Sequence, residues 1–139
     1  MNFMMKMIRP LLAAAGFLAL GCAATGGRTT ETPRHPEKFT LAEGSEYQPL
    51  LKGAPQTCGM RAGRVVLSDG RSNEVHSTGE HEETLVFLAG SGQVEFEGHQ
   101  PIPAKAGDVV YIPPRTTHCV RAASGAELRY VYIVAPIPR

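Results

Sequence analysis

From Gln56 onward, turns that contain glycine or proline divide the chain into short apolar runs. The clearest runs are residues 64–67, 84–89, 93–97, 109–112 and 128–134. No segment in this part of the chain keeps the 3.6-residue apolar period of a helix. With 15 glycines and 11 prolines in 139 residues, the composition also suits a turn-rich β protein. The pattern predicts one all-β domain, an antiparallel sandwich or barrel.

The last of these runs is apolar on both faces. Tyr130, Tyr132 and Val134 alternate with Val131 and Ile133, and alternate residues of a strand point to opposite faces. One face can fill the interior, and the other then needs a cover. We expect that cover to come from a second sheet or from a partner subunit, and we predict a homodimer.

The N-terminal segment has the composition of an export signal. Lys6 and Arg9 precede an apolar run at residues 11–20, which is shorter than the ~20 residues that span a bilayer. The residues up to Cys22 resemble the lipobox of bacterial lipoproteins. The expectation is a signal peptide at residues 1–21 and a periplasmic or cell-envelope lipoprotein anchored at Cys22. A secretory signal with a chance cysteine, or a plain membrane anchor, is the alternative.

The remaining chain divides into a tether and a domain. Residues 22–38 are polar and rich in Thr, Gly and Pro, which predicts a flexible tether before a barrel at residues 39–139. Within that barrel, residues 39–55 could add an edge strand. Basic and acidic side chains number 14 and 13 and form no basic cluster after the signal, which argues against nucleic acid as a partner. Contact with a membrane would come from the lipid alone.

Two further cysteines, Cys58 and Cys119, follow the lipobox cysteine. In an oxidising compartment they could pair as a disulfide. The alternative is two free thiols, and the sequence does not decide between them.

Three side chains in two glycine-bounded segments are candidate metal ligands. His76 and Glu83 lie in the segment from residue 70 to residue 90, and His118 follows Gly107. Two imidazoles and one carboxylate form a ligand set that leaves coordination positions open for a substrate or for oxygen.

The spacing of these segments resembles the two motifs of the cupin superfamily, as found in small single-domain cupins. The resemblance covers about residues 56–136. Three positions depart from the family motifs: Thr78 replaces a histidine, Arg115 replaces a glycine and Ala122 replaces an asparagine.

The resemblance implies a double-sheet jelly-roll barrel that holds a divalent transition metal. Fe or Mn is expected first, and Ni or Zn would also suit the ligands. With Thr78 in place of the usual histidine, His81 is the candidate for a fourth ligand, and the alternative is that it is a bystander. Thr78, Phe87 and Arg115 are expected at the pocket, with Arg115 either meeting a ligand or remaining solvated.

Two functions fit these expectations. The first is a small-molecule metalloenzyme of the oxygenase, decarboxylase or isomerase type. The second is a non-catalytic module of the cell envelope that binds a metal or a small ligand, and a barrel that has lost its metal belongs to this second class. The sequence assigns no catalytic residue and does not decide whether the protein is an enzyme.

Overall fold

A computed structural model describes residues 34–138 and shows eight β-strands. The strands are β1 (Tyr47–Lys52), β2 (Arg61–Ser68), β3 (His81–Ala89), β4 (Ser91–Phe96), β5 (Ile102–Lys105), β6 (Val109–Ile112), β7 (His118–Ala122) and β8 (Glu127–Pro136). The predicted signal peptide, Cys22 and most of the predicted tether lie outside the described residues. Between residues 34 and 138 there is no helix long and apolar enough to cross a membrane.

The strands form two antiparallel sheets. The larger sheet has the order β1-β2-β8-β3-β6, and the smaller has the order β5-β4-β7. The predicted all-β, antiparallel, double-sheet architecture is therefore confirmed.

The core lies between the inner faces of the two sheets. On β3 the inward positions Leu85 and Phe87 are 1% exposed, and on β8 Leu128 and Tyr130 are equally well buried. The alternation of the sequence explains this, because every second residue of a strand meets the opposite sheet.

Each of the five predicted runs coincides with a strand, although the run at 93–97 extends one residue beyond the end of β4. By contrast, β5 and β7 were not predicted. β5 holds a proline and only four residues, and β7 places a histidine, a cysteine and an arginine in five positions. Neither presents a hydrophobic run, so only their pairing with β4 makes them strands. The expected edge strand before residue 55 is present as β1.

The outer face of the larger sheet is partly covered by the chain itself. Arg64 on β2 is only 1% exposed, although its neighbour Val65 points inward to the core. Its guanidinium donates to the Ser45 carbonyl oxygen at 2.8 Å and to Gln48 at 3.4 Å. The segment that leads into β1 therefore provides some of the cover that the sequence analysis assigned to a second sheet or a partner.

The possible Cys58–Cys119 disulfide is not formed, since both thiols are free. Cys58 is exposed in the loop between β1 and β2, whereas Cys119 is buried on β7. The Cys119 thiol donates to the Glu95 carboxylate at 3.3 Å. Burial and the negative charge of Glu95 raise the pKa of Cys119, which keeps this thiol protonated and unreactive.

Candidate metal centre

Three side chains converge at one end of the space between the sheets. His76, Glu83 and His118 each offer one ligand atom, and these atoms all lie within 4.8 Å of one another. Glu83 and His118 are buried, and His76 is exposed. Among residues 34–138, these three side chains form the group that could hold a metal ion.

Each ligand comes from a different part of the fold. Glu83 is an inward residue of β3 in the larger sheet, and His118 begins β7 in the smaller sheet. His76 lies in the loop before β3 and is fixed by two backbone hydrogen bonds to His118, at 2.9 and 3.0 Å. Their rings are therefore close, with centroids 4.5 Å apart.

Backbone carbonyl groups orient both imidazoles. Nδ1 of His76 lies 2.8 Å from the Glu74 carbonyl oxygen, and Nδ1 of His118 lies 3.0 Å from that of Thr116. A carbonyl can only accept, so each Nδ1 carries the proton and each Nε2 keeps its lone pair. Metal-binding histidines are held in the same way, with Nδ1–H donating to a fixed acceptor and Nε2 left to bind the ion.

The two buried ligands have polar atoms without hydrogen-bond partners. Nε2 of His118 lies 3.2 Å from Oε2 of Glu83, but neither atom makes a hydrogen bond of acceptable geometry. Buried polar atoms without partners are rare, and a missing ion is one recognised explanation.

The two residues are also electrostatically matched. Burial alone would lower the pKa of His118, but the Glu83 carboxylate and the Thr116 carbonyl outweigh it, so the pKa is raised. The carboxylate therefore favours positive charge at this position, whether a proton or a metal ion supplies it.

The ligands line a cavity of about 600 Å³. Its other polar walls are formed by Lys52, Arg61, Asn73, Ser77, Thr78 and three tyrosines, Tyr47, Tyr130 and Tyr132. The apolar walls come from Pro49, Leu51, Val65, Leu85, Val120 and Val134. A cavity of this size holds a small molecule.

The side chains of Thr78 and His81 each bond to the backbone of the other residue. The Thr78 hydroxyl donates to the His81 carbonyl oxygen at 2.8 Å, and Nδ1 of His81 lies 3.1 Å from the Thr78 carbonyl oxygen. Thr78 lines the cavity, as predicted. β3 does begin at His81, two residues before Glu83, yet His81 is not among the residues whose ligand atoms converge.

Two other residues predicted at the pocket lie elsewhere. Phe87 is buried deeper in the core and packs on Tyr130, with ring centroids 5.6 Å apart. Arg115 is an exposed residue whose guanidinium lies 2.8 Å from both carboxylate oxygens of Glu80. Of the two alternatives for Arg115, the structure favours the solvated one.

The sequence analysis missed the polar residues that β1, β2 and β8 bring to the cavity. The hydroxyl groups of Tyr47 and Tyr132 are 2.7 Å apart, and Lys52 stands opposite Arg61. The alternation of residues along β1 could have indicated which side chains face the cavity. The pairing of β1 with β2 shifts register between Pro49 and Leu51, so a simple alternation fails there.

Comparison with known proteins agrees with this geometry. The family profile described as "Cupin domain" matches residues 63–134, which include all three converging side chains. None of the curated proteins matches the sequence.

Solved structures match over most of the described chain. A cupin protein from Bacteroides fragilis is 24% identical, with a TM-score of 0.61, and the match covers 72% of this chain and 83% of that one. A cupin-like protein from Thermotoga maritima is 26% identical, with a TM-score of 0.61 and coverage of 66% and 68%. An RmlC-like cupin protein from Desulfovibrio desulfuricans is 25% identical, with a TM-score of 0.61 and coverage of 74% and 100%. Since the family profile spans more than half of the sequence, the chain belongs to the cupin family.

Proposed function

We propose that this protein binds one divalent transition metal ion through His76, Glu83 and His118, and that the ion takes a small molecule in the adjoining cavity. The observation that carries the proposal is the pair of buried, unpartnered atoms, Nε2 of His118 and Oε2 of Glu83. A cation between these two atoms would satisfy both of them, and the oriented imidazole of His76 would supply the third ligand.

Three protein ligands suit a reactive centre better than a structural one, because they leave coordination positions open. Fe or Mn is the expected ion, and Ni or Zn would also be accepted by these ligands. When bound, such an ion supplies Lewis acidity and a template for the ligand. The protein's own contribution is to fix the imidazoles through the Glu74 and Thr116 carbonyls and to surround the ligand with apolar walls.

The direct test is elemental analysis of the purified protein after loading with each of the four ions. Wild-type protein is expected to hold one equivalent, and Glu83→Gln is expected to lose most of it. Glu97→Gln is the matched control, because Glu97 is exposed and lies outside the converging group. Wild-type protein that retains none of the four ions would contradict the proposal.

A gain of affinity tests the position of Thr78. We propose that Thr78→His restores the ligand set that the family resemblance implies, so the metal dissociation constant should fall. His81→Ala should leave the metal content unchanged, because the His81 imidazole lies against the Thr78 carbonyl. Loss of metal from His81→Ala would instead identify His81 as a ligand.

A specific observation supports the second candidate, a non-catalytic binding module. Beyond the three metal ligands, the ionisable residues that line the cavity are Lys52, Arg61 and tyrosines, so no further carboxylate or imidazole is available as a general base. The metalloenzyme reading is favoured by the open coordination positions. Oxygen consumption or turnover by the metal-loaded protein across a panel of small acids and phenols would support the enzyme, and tight binding without turnover would support the module.

We also propose that the protein is exported and anchored by lipid at Cys22. The support is the basic start, the short apolar run and the lipobox-like end of the segment. Cys22→Ser is expected to release the protein from the membrane fraction or to leave an uncleaved precursor. Unchanged processing and membrane attachment of the Cys22→Ser variant would contradict this proposal.

A homodimer through the outer face of the larger sheet is the third part of the proposal. Val109 and Tyr111 on β6 are 62% and 56% exposed. β3 lies between them and the half-buried Val131 and Ile133 of β8. Light scattering at micromolar concentration is expected to give twice the chain mass, and Val109→Lys is expected to halve it. A wild-type monomer would count against the dimer.

A further inference from the structure

Two basic residues face each other across the first two strands. In the antiparallel pairing of β1 with β2, Lys52 is the direct partner of Arg61. Both are exposed, and both line the cavity that holds the candidate metal ligands. The pairing therefore places two positive charges at the wall of that cavity.

This pairing is unfavourable for the fold alone, because like charges directly opposite on neighbouring strands are destabilising. Neither residue forms an ion pair with an acid within residues 34–138. Four of the five ion pairs described there involve an arginine, so the fold does supply acids to other guanidinium groups. Lys52 and Arg61 thus stand as an uncompensated pair.

The polar groups beside this pair are hydrogen-bond donors. Burial and the hydrogen bond to Tyr47 raise the pKa of Tyr132, while the charge of Arg61 opposes that rise, so Arg61 lies within electrostatic reach of the hydroxyl. Tyr47 and Tyr132 share one hydrogen bond, which leaves one hydroxyl proton of the two free to donate to a ligand. Glu83 is the one carboxylate that lines the cavity, and it belongs to the metal group.

The remaining walls are apolar. Leu51, Val65, Leu85, Val120 and Val134 surround the space that the polar groups leave. A ligand that meets all of these walls carries an apolar body and a negative charge.

We propose that Lys52 and Arg61 recognise the anionic end of the cavity's ligand, a small carboxylate with an apolar body. The inference deepens the proposed function, since it names the class of molecule that the metal cavity takes. The repulsion between Lys52 and Arg61 lowers the stability of the empty protein, and a bound carboxylate would supply the negative charge that offsets it.

The test compares a carboxylate with its neutral analogue by calorimetric titration, using 3-phenylpropionate and 3-phenylpropionamide as probes. Metal-free and zinc-loaded proteins are both titrated. Wild-type protein should bind the carboxylate at least about tenfold more tightly than the amide, which corresponds to the loss of one charge-assisted hydrogen bond. Acetate, which lacks the apolar body, should bind more weakly than 3-phenylpropionate.

Substitution locates the effect. The double variant Lys52→Met with Arg61→Gln should lose the preference for the carboxylate, and Lys105→Met should keep it, because Lys105 is an exposed residue of β5 outside the cavity lining. Equal binding of the two probes by wild-type protein, or an unchanged preference in the double variant, would overturn the inference.

A charge reversal separates recognition from a structural role. Lys52→Glu turns the like-charged pair into an opposite-charged one, so it should raise the melting temperature while it weakens carboxylate binding. A variant that loses both stability and binding would show that Lys52 serves the fold and would contradict the inference.

The two proposals can fail separately. Metal content is measured on each variant without any carboxylate present, and its absence in wild-type protein counts against the proposed metal centre. The titration of the metal-free protein still decides whether the basic pair selects a carboxylate.

Discussion

At the scale of the single residue, Arg115 shows how a departure from the family motif is accommodated. It stands where the motif has glycine, and its φ of 60° lies in the left-handed region that favours glycine. Its backbone N–H donates to the Gly79 carbonyl oxygen at 2.8 Å, and its side chain pairs with Glu80. The loop thus keeps a glycine conformation, and of these two contacts a glycine would lack only the ion pair.

This gives a prediction about two substitutions. Arg115→Gly removes the ion pair but relieves the backbone, whereas Arg115→Ala removes the ion pair and keeps the unfavourable φ. Because the exposed ion pair is worth little, the glycine variant should be about 1 kcal/mol more stable to unfolding than the alanine variant. Urea denaturation of both variants measures the difference, and equal stabilities would show that the loop can relax away from this φ.

Gly63 is a second residue whose small size shapes the cavity. A Cβ added there would lie 2.7 Å from the ring and the hydroxyl of Tyr132. Gly63→Ala should therefore displace Tyr132, break its hydrogen bond to Tyr47 and cost about 1–3 kcal/mol of unfolding free energy. In a double-mutant cycle, Tyr132→Leu should recover part of that cost. Strictly additive losses would mean that the alanine clashes with something else.

At the scale of the element, a charge network ties β4 to β7. The Arg121 guanidinium donates to both oxygens of Glu95, at 2.7 and 3.3 Å. Hydrogen bonds from Arg121, and then from Gln93 and Cys119, lower the pKa of Glu95 from 4.5 to about 2. The pair is partly open to water, with 43% and 30% of the two side chains exposed, so its stabilisation stays below about 1 kcal/mol.

The sign of the pH dependence follows from the lowered pKa. Glu95 contributes its full stabilisation above pH 4.5, and that contribution is lost as the pH falls towards about 2. Glu95→Gln should therefore lower the free energy of unfolding at pH 7 and flatten its decline between pH 4.5 and 2. Chemical denaturation across that range, with Glu97→Gln as the exposed control, measures this effect. Parallel curves for wild-type and Glu95→Gln would contradict it.

Elements differ in how much of their structure the local sequence encodes. β3 and β8 were predictable because each contains a continuous run of mostly apolar residues. β7 was not, since Cys119 and Arg121 face Glu95 and not the core. The inward positions of β7 hold His118 and Ala122 around a single valine. Its apolar alternation is therefore weak, and its pairing becomes visible only in three dimensions.

At the scale of the whole molecule, the candidate metal centre was predictable and the cavity around it was not. The motif spacing identified His76, Glu83 and His118, because each motif fixes a ligand relative to its own local turn. Lys52 and Arg61 reach the cavity through the register of β1 on β2, including the shift after Pro49. Register over such separations depends on the packing of the whole sheet. Phe87 shares the inward face of Glu83 but packs in the core beyond the cavity.

The metal centre also predicts a stability effect that belongs to the whole molecule. Its ligands come from β3 in the larger sheet, from β7 in the smaller sheet and from the loop before β3. An ion bound only by the folded state stabilises it by ~2.7 kcal/mol at a hundredfold excess over the dissociation constant. Because the ligands join both sheets, the gain should appear as slower amide hydrogen exchange in both sheets and not only near the site.

His118→Ala should abolish this gain, whereas His99→Ala, in the exposed turn after β4, should retain it. The free energy of unfolding with and without metal, measured by denaturation, gives the magnitude, and hydrogen exchange gives its distribution. Protection confined to His76 and its loop would show that the ion binds there without joining the sheets. A gain that survives in His118→Ala would place the ion elsewhere on the molecule.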